Sequence, residues 1–193
     1  MNGNFKRVFI AFESPIGFRE IYADKIYPLF NGIKELKTVI PENIHITLKF
    51  LGSINIAQIS EIKNMLSDLL AREKEINVKF TGIGAFPNVK RPRVVWAGFD
   101  DENGVMEKIA EKIDLAVSDM GFEKEKRPFR PHITIARVKK GKIFDLNGFM
   151  RNYERDKMLV ENFKINMVAF YESILKQDGP VYKVLQSYPL KSL

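Results

Sequence analysis

The chain repeats itself once, and that repeat restricts its fold more than any other feature. Val94-Val95-Trp96-Ala97 repeats Val8-Phe9-Ile10-Ala11 86 residues later, His132-Ile133-Thr134 repeats His45-Ile46-Thr47 after 87, and Phe170 repeats Phe86 after 84. A near-constant offset across three landmarks marks an internal duplication, each half reading strand, helix, H-I-T strand, helix, strand. One duplication makes a pair rather than a solenoid. The expected organisation is a single domain of two pseudo-equivalent lobes, with halves of about 1–90 and 91–193. The strands read as antiparallel or mixed, which places the fold in the α+β class rather than among doubly wound parallel sheets.

Local patterns fill in the elements. Ser14-Pro15 reads as a helix cap and first helical residue, followed by Phe18, Tyr22, Ile26, Leu29 and Phe30 at helical spacing. Ile56, Ile59, Ile62, Leu66 and Leu69-Leu70 mark a second helix. Val105, Ile109, Ile113, Ala116, Val117 and Met120 mark a third, closed by Gly121 where a C-cap glycine is favoured. Strands are expected over Ile76 to about Ile83 and over Phe163 to Phe170, with a short helix from Leu146 to Tyr153 between them and a hairpin after Ser173.

Composition narrows the chemistry. With 45% apolar residues, 15 of all residues being phenylalanine, a sizeable core can form. The absence of cysteine excludes disulfides, thiolate nucleophiles and cysteine–zinc sites, and suits a cytoplasmic protein. The apolar run Val8 to Phe12 is too short for a signal peptide or a membrane span. A net charge of +7 fits a lysine-rich solvated surface and fits attraction to a polyanion such as RNA.

His45 and His132 are the only histidines, and each has a threonine two residues on. With four threonines in 193 residues, chance would produce both pairs with odds of roughly 4 in 10,000. Residues i and i+2 of a strand share a face. His45, Thr47 and Lys49 are therefore expected on one face and Ile46, Leu48 and Phe50 on the other. His132 and Thr134 share a face likewise, with Arg137 falling on the side of Ile133. A pseudo-twofold brings the two polar faces together. Two imidazoles suit phosphodiester chemistry, one as general base and one as general acid, because histidine changes charge near neutral pH. The threonine hydroxyls can donate to phosphate oxygens where transition-state charge builds. Arg130 is the candidate cation beside them. Two histidines without a carboxylate at ligand spacing make a thin metal site, so none is expected. No G-x-S-x-G, P-loop or dinucleotide fingerprint is present.

These residues resemble a known family. The duplicated H-x-T-x motif, with "RVFIAFESP", "PENIHITLKFLG", "FPNVKRPRVVWAG", "RPFRPHITIARV" and "SILKQDGPVYKVLQSYPL", is similar to the two-histidine (2H) phosphoesterases, most closely to the RNA 2′,3′-cyclic phosphodiesterases also called LigT-like 2′-5′ RNA ligases. The resemblance implies a bilobal fold with a central cleft lined by sheets, helices outside, and strands exchanged between lobes. It implies hydrolysis of a terminal 2′,3′-cyclic phosphate to a 2′-phosphomonoester, without metal or nucleotide cofactor. By the same resemblance His45 protonates the leaving 3′ oxygen and His132 activates water; the residues alone do not distinguish these roles. Reversible 2′-5′ joining of tRNA halves is also implied. A 2H enzyme for 2′-5′-linked oligonucleotides and a non-catalytic RNA-end-binding module are the alternatives. Tyr182 and Phe86 are candidates for stacking on a base, Lys49 for a phosphate, and Arg91 and Arg93 for an RNA path; both aromatics serve equally well as core. Trp96, matched to Ile10, is expected in the core. Nothing demands more than a monomer.

Overall fold

The computed structural model describes residues 4–151, 162–177 and 179–192. Among the described residues nine strands form one sheet: β1 (Phe5–Glu13), β2 (Leu36–Thr38), β3 (His45–Asn55), β4 (Ile76–Phe86), β5 (Val94–Asp100), β6 (His132–Val138), β7 (Asn162–Ile165), β8 (Met167–Lys176) and β9 (Gly179–Pro189). Their order is β7-β4-β5-β6-β3-β1-β8-β9, with β2 also paired to β6. All of these pairings are antiparallel, as the α+β reading requires. The order is symmetric about the β6–β3 junction. β4, from the first half of the chain, pairs with β5, and β8, from the second half, pairs with β1.

The first helical region departs from expectation. Pro15 lies before it, where its carbonyl accepts the Phe18 N–H, and the helix starts after Gly17, whose φ of 80° only glycine adopts readily. It runs as α1 (Phe18–Ile21), a π-helical turn (Tyr22–Ile26) and α2 (Tyr27–Phe30). Pro28 inside this run has no N–H to donate and crowds the preceding turn, and a widened turn accommodates it. Helix α3 (Gln58–Leu70) buries Ile62, Leu66 and Leu70, while Ile56 lies outside it and is exposed. Helix α4 (Val105–Asp119) buries Met106, Ile109, Ile113 and Val117, and Gly121 follows at a φ of 90°. The short α5 is Leu146–Arg151; the expected extension to Tyr153 lies outside the described residues. Expected as one strand, residues 163–170 are divided between β7 and β8 at Asn166, whose carbonyl accepts the Leu190 N–H. The β8–β9 hairpin closes the chain as expected.

The core lies between the helices and one face of the sheet. Val8, Ile10 and Phe12 of β1, Ile46 of β3, Val95 and Ala97 of β5, and Ile133 and Ile135 of β6 all point into it. The opposite face forms the cleft. Among the described residues no helix is long and apolar enough to cross a membrane.

Candidate active site

The two H-I-T strands meet at the centre of the sheet, where Ile46 of β3 pairs with Ile133 of β6. In that antiparallel register His45 neighbours Thr134, and Thr47 neighbours His132. Each histidine is fixed by the same local device. His45 Nδ1 lies 2.8 Å from the Asn43 carbonyl and His132 Nδ1 lies 2.7 Å from the Arg130 carbonyl, two residues earlier in both cases. A carbonyl can only accept, so each Nδ1 carries the proton and each Nε2 remains for chemistry. Both histidines and both threonines are half-buried.

A bulge in each half explains what happens beyond the threonines. Along β1, Ile10 pairs with Lys49 but Ala11 with Thr47, which leaves Leu48 as the extra residue. Along β5, Val95 pairs with Ala136 but Trp96 with Thr134, which leaves Ile135 extra. Leu48 and Ile135 occupy the same place in the repeat. A bulge reverses the alternation of faces after it. Lys49 is therefore not on the His45 face. It is buried beneath the sheet, where its ammonium bonds Asp114 of α4 and the Glu123 carbonyl. Phe50 comes to the cleft face, its ring 5.6 Å from that of Phe9, which itself lies 4.8 Å from His45.

In the second half the same reversal turns Arg137 into the cleft, against the expectation that placed it on the Ile133 side. Its charge acts on His45, His132 and Tyr182. Strict alternation along β6 hides this cation and leaves Arg130 as the one visible beside His132. Arg130 contributes its carbonyl to His132, and its side chain is exposed. Aligning the halves on their H-I-T motifs would have pointed to Arg137, since it then falls opposite Phe50 as the one repeat position where a cation replaces a ring.

The aromatic candidates reach the site, one per histidine. Tyr182 stands edge-on to His45 at 5.2 Å, and Phe86 stands edge-on to His132 at 5.1 Å. Trp96 is not core. It faces Thr134 as Ala11 faces Thr47, so Ala11 and not Ile10 is its partner in the repeat. Its ring lies 5.2 Å from Phe86 and 6.3 Å from His132, and it fills the space over Gly84 and Gly98, where a Cβ would collide with it. Arg91 and Arg93 are exposed on the loop after β4.

The cleft holds its imidazoles neutral. Burial lowers the His45 pKa to about 4; the Asn43 carbonyl opposes this, while His132 and Arg137 add repulsion. Burial also lowers that of His132, opposed by the Arg130 carbonyl and reinforced by Arg137. Burial raises the Tyr182 hydroxyl, with the guanidinium groups of Arg137 and Arg7 working the other way. A cleft with two available Nε2 atoms, two hydroxyls and a facing guanidinium is built for an anion that needs proton transfer on both sides.

The sequence model of the LigT like Phosphoesterase family matches residues 16–96 and again 100–182. The chain belongs to this family. The double match falls on the two halves of the duplication. A protein of Methanocaldococcus jannaschii named RNA 2′,3′-cyclic phosphodiesterase is 35% identical over 190 residues, 94% of this chain and 99% of its own. One of Archaeoglobus fulgidus with the same name is 34% identical over 188 residues, 94% of this chain and 99% of its own. Among solved structures, a protein of Thermus thermophilus superposes with a TM-score of 0.78 at 25% identity, covering 96% of this chain and 98% of that one. E. coli LigT complexed with 3′-AMP superposes with a TM-score of 0.73 at 20% identity, over 96% and 98% of the two chains. The E. coli likeness speaks for the fold alone.

Proposed function

We propose that this protein is an RNA 2′,3′-cyclic phosphodiesterase, which opens a terminal 2′,3′-cyclic phosphate to a 2′-phosphomonoester. The observation that carries the reading is the pair of Nδ1-anchored histidines on either side of the Ile46–Ile133 pair, each with its threonine. His132 Nε2 takes a proton from water as the water oxygen bonds to phosphorus. The bond from phosphorus to O3′ breaks, and His45 Nε2 gives its proton to that oxygen. The sum is addition of one water, with the phosphate left on O2′. Thr47 and Thr134 donate to the non-bridging oxygens, and Arg137 supplies the counter-charge, with Arg130 at the rim. The resemblance to the 2H phosphoesterases gives the two histidines their separate roles.

The histidine required as acid has a lowered pKa, so it takes up a proton from solvent when the anionic substrate binds. A phosphate anion beside His45 replaces net repulsion by attraction and raises its pKa. With the 5′-hydroxyl of a second RNA in place of water, the same chemistry joins RNA ends through a 2′-5′ linkage, the 5′ oxygen bonding to phosphorus as the bond to O3′ breaks. Strain in the cyclic phosphate drives ligation without ATP, and in dilute solution water prevails. We extend the substrate class to tRNA halves and place the enzyme, as a monomer, in the cytoplasm.

The test is a short RNA ending in a 2′,3′-cyclic phosphate, incubated with EDTA and resolved into 2′- and 3′-phosphate products. A 2′-phosphate that disappears in His45→Ala and in His132→Ala is the expected result. Turnover confined to 2′-5′-linked oligonucleotides would transfer the site to that substrate, and tight binding of phosphate ends without product would make it a binding module.

A further inference from the structure

The duplication breaks in charge beside the catalytic pair, and the break gives the cleft a direction. Phe50 and Arg137 are equivalent, each five residues beyond its histidine and each turned into the cleft by its own bulge. On the Arg137 side the cleft presents a cation for the reacting phosphate. On the other side it presents the Phe50 ring, 59% exposed, which is unusual for a phenylalanine that already touches another ring.

Beyond Phe50 lies a second cation. Arg7 shares the cleft face of β1 with Phe9, two residues and so about 7 Å further from the histidines. Its neighbour Lys6 points the other way, to Glu172. Arg7 pairs with Ser53 just as Phe9 pairs with Phe50, so ring and guanidinium are successive stations along one wall. Arg7 and Arg137 both act on Tyr182, whereas Arg7 is not among the charges acting on either histidine. The cleft thus has one guanidinium on the Arg137 side and another beyond Phe50, on β1.

We infer that Phe50 and Arg7 form a subsite for the nucleotide preceding the terminal one, with its base stacked on the Phe50 ring and the phosphodiester joining the two nucleotides held by Arg7. The inference rests on the proposed cyclic phosphodiesterase activity and adds a substrate class to it: an RNA strand of two or more nucleotides, leaving the cleft along β1. Base–aromatic stacking tolerates any base, so the subsite selects for length and not sequence.

The experiment compares adenosine 2′,3′-cyclic phosphate with the dinucleotide ApA carrying the same cyclic end. Phe50→Ala and Arg7→Met should each lower kcat/KM for the dinucleotide by about tenfold and leave the mononucleotide rate unchanged. Equal losses on both substrates would place Phe50 and Arg7 at the terminal nucleotide or in the fold, and overturn the subsite. So would retention of the dinucleotide preference in both variants, or its loss in an Arg91→Ala/Arg93→Ala variant instead, which would send the RNA along the opposite wall. Calorimetric titration with the 2′-phosphate products of the two substrates reads the subsite without turnover. Tighter binding of the dinucleotide product, lost in Arg7→Met, supports it even if the wild type hydrolyses neither substrate. Equal affinities overturn it.

Discussion

The two histidines are held by the same backbone device and sit in different company. His45 is enclosed by Phe9, Tyr171 and Tyr182, at ring separations of 4.8, 6.2 and 5.2 Å. His132 meets Phe86 and Trp96 at 5.1 and 6.3 Å, with Arg137 at hand. The comparison teaches that duplication supplies geometry while divergence supplies chemistry. A symmetric pair of imidazoles cannot by itself decide which gives a proton and which takes one. The walls around them can, because a proton's free energy depends on burial and neighbouring charge, both of which differ between the halves.

The strongest way to break the comparison is to remove one histidine at a time. His45→Ala and His132→Ala should each lower kcat by about 10²–10⁴ with the protein folded. The double variant should be little worse than either single one, since acid and base act as one unit. Product formation by single-turnover assay checks this. Independent, additive losses would mean that the two halves do not work on the same phosphate.

Lys49 sharpens the contrast from behind the sheet. It joins the strand of His45 to α4 and, through the Glu123 carbonyl, to the chain leading to His132. Asp114 on the same bond also accepts the Glu125 N–H. Lys49→Met leaves Asp114 without its counter-charge, and breaking a pair of this kind costs about 3 kcal/mol. The expected outcome is a lower unfolding midpoint by calorimetry with kcat per folded molecule unchanged. A fall in kcat without a fall in stability would return Lys49 to the substrate, where the simple alternation of the strand had put it.

That contrast shows how far the sequence could be read. The H-I-T pairs, their convergence and the α+β class follow from two histidines, four threonines and a constant offset. What the alternation hid was the bulge at Leu48 and its twin at Ile135. A bulge is one extra unpaired residue with no side-chain signature, and Leu48-Lys49-Phe50-Leu51 has apolar residues on both parities, so either face could have been the core. Lys49, Phe50 and Arg137 were misplaced for that single reason. Trp96 was misplaced for a related one, since the repeat of β1 onto β5 runs one residue off from the similarity of their letters.

Smaller effects come from the hydroxyls. Thr47→Val and Thr134→Val keep the strands' shape and remove one donor each to the phosphate, with an expected loss of about 10² in kcat. If both donate to the same developing charge, the losses should be alike within about threefold despite the unlike walls. A large inequality, measured on one substrate at one pH, would show that the asymmetry reaches the phosphate itself.

The pH dependence of stability tests the walls most directly. With its pKa lowered from 6.5 to about 4, His45 is neutral in the folded protein at pH 7, while in the unfolded chain it titrates near its ordinary value. Between those two values the unfolded chain binds more protons, so stability should rise with pH across the window. The contribution of His45 is fully present above about 6.5 and is lost as the pH falls toward and through about 4. Denaturant unfolding at a series of pH values should show this slope in the wild type and a flatter one in His45→Gln. The same burial fixes the behaviour on binding. If a phosphate-bearing product restores the charge on His45, its binding at pH 7 must take up a proton, and the heat of binding must change with the ionisation enthalpy of the buffer. A heat that is the same in every buffer would mean that His45 stays neutral beside the phosphate. Because burial lowers the His132 pKa as well, neither imidazole would then be charged, and the assignment of His45 as the acid would fail.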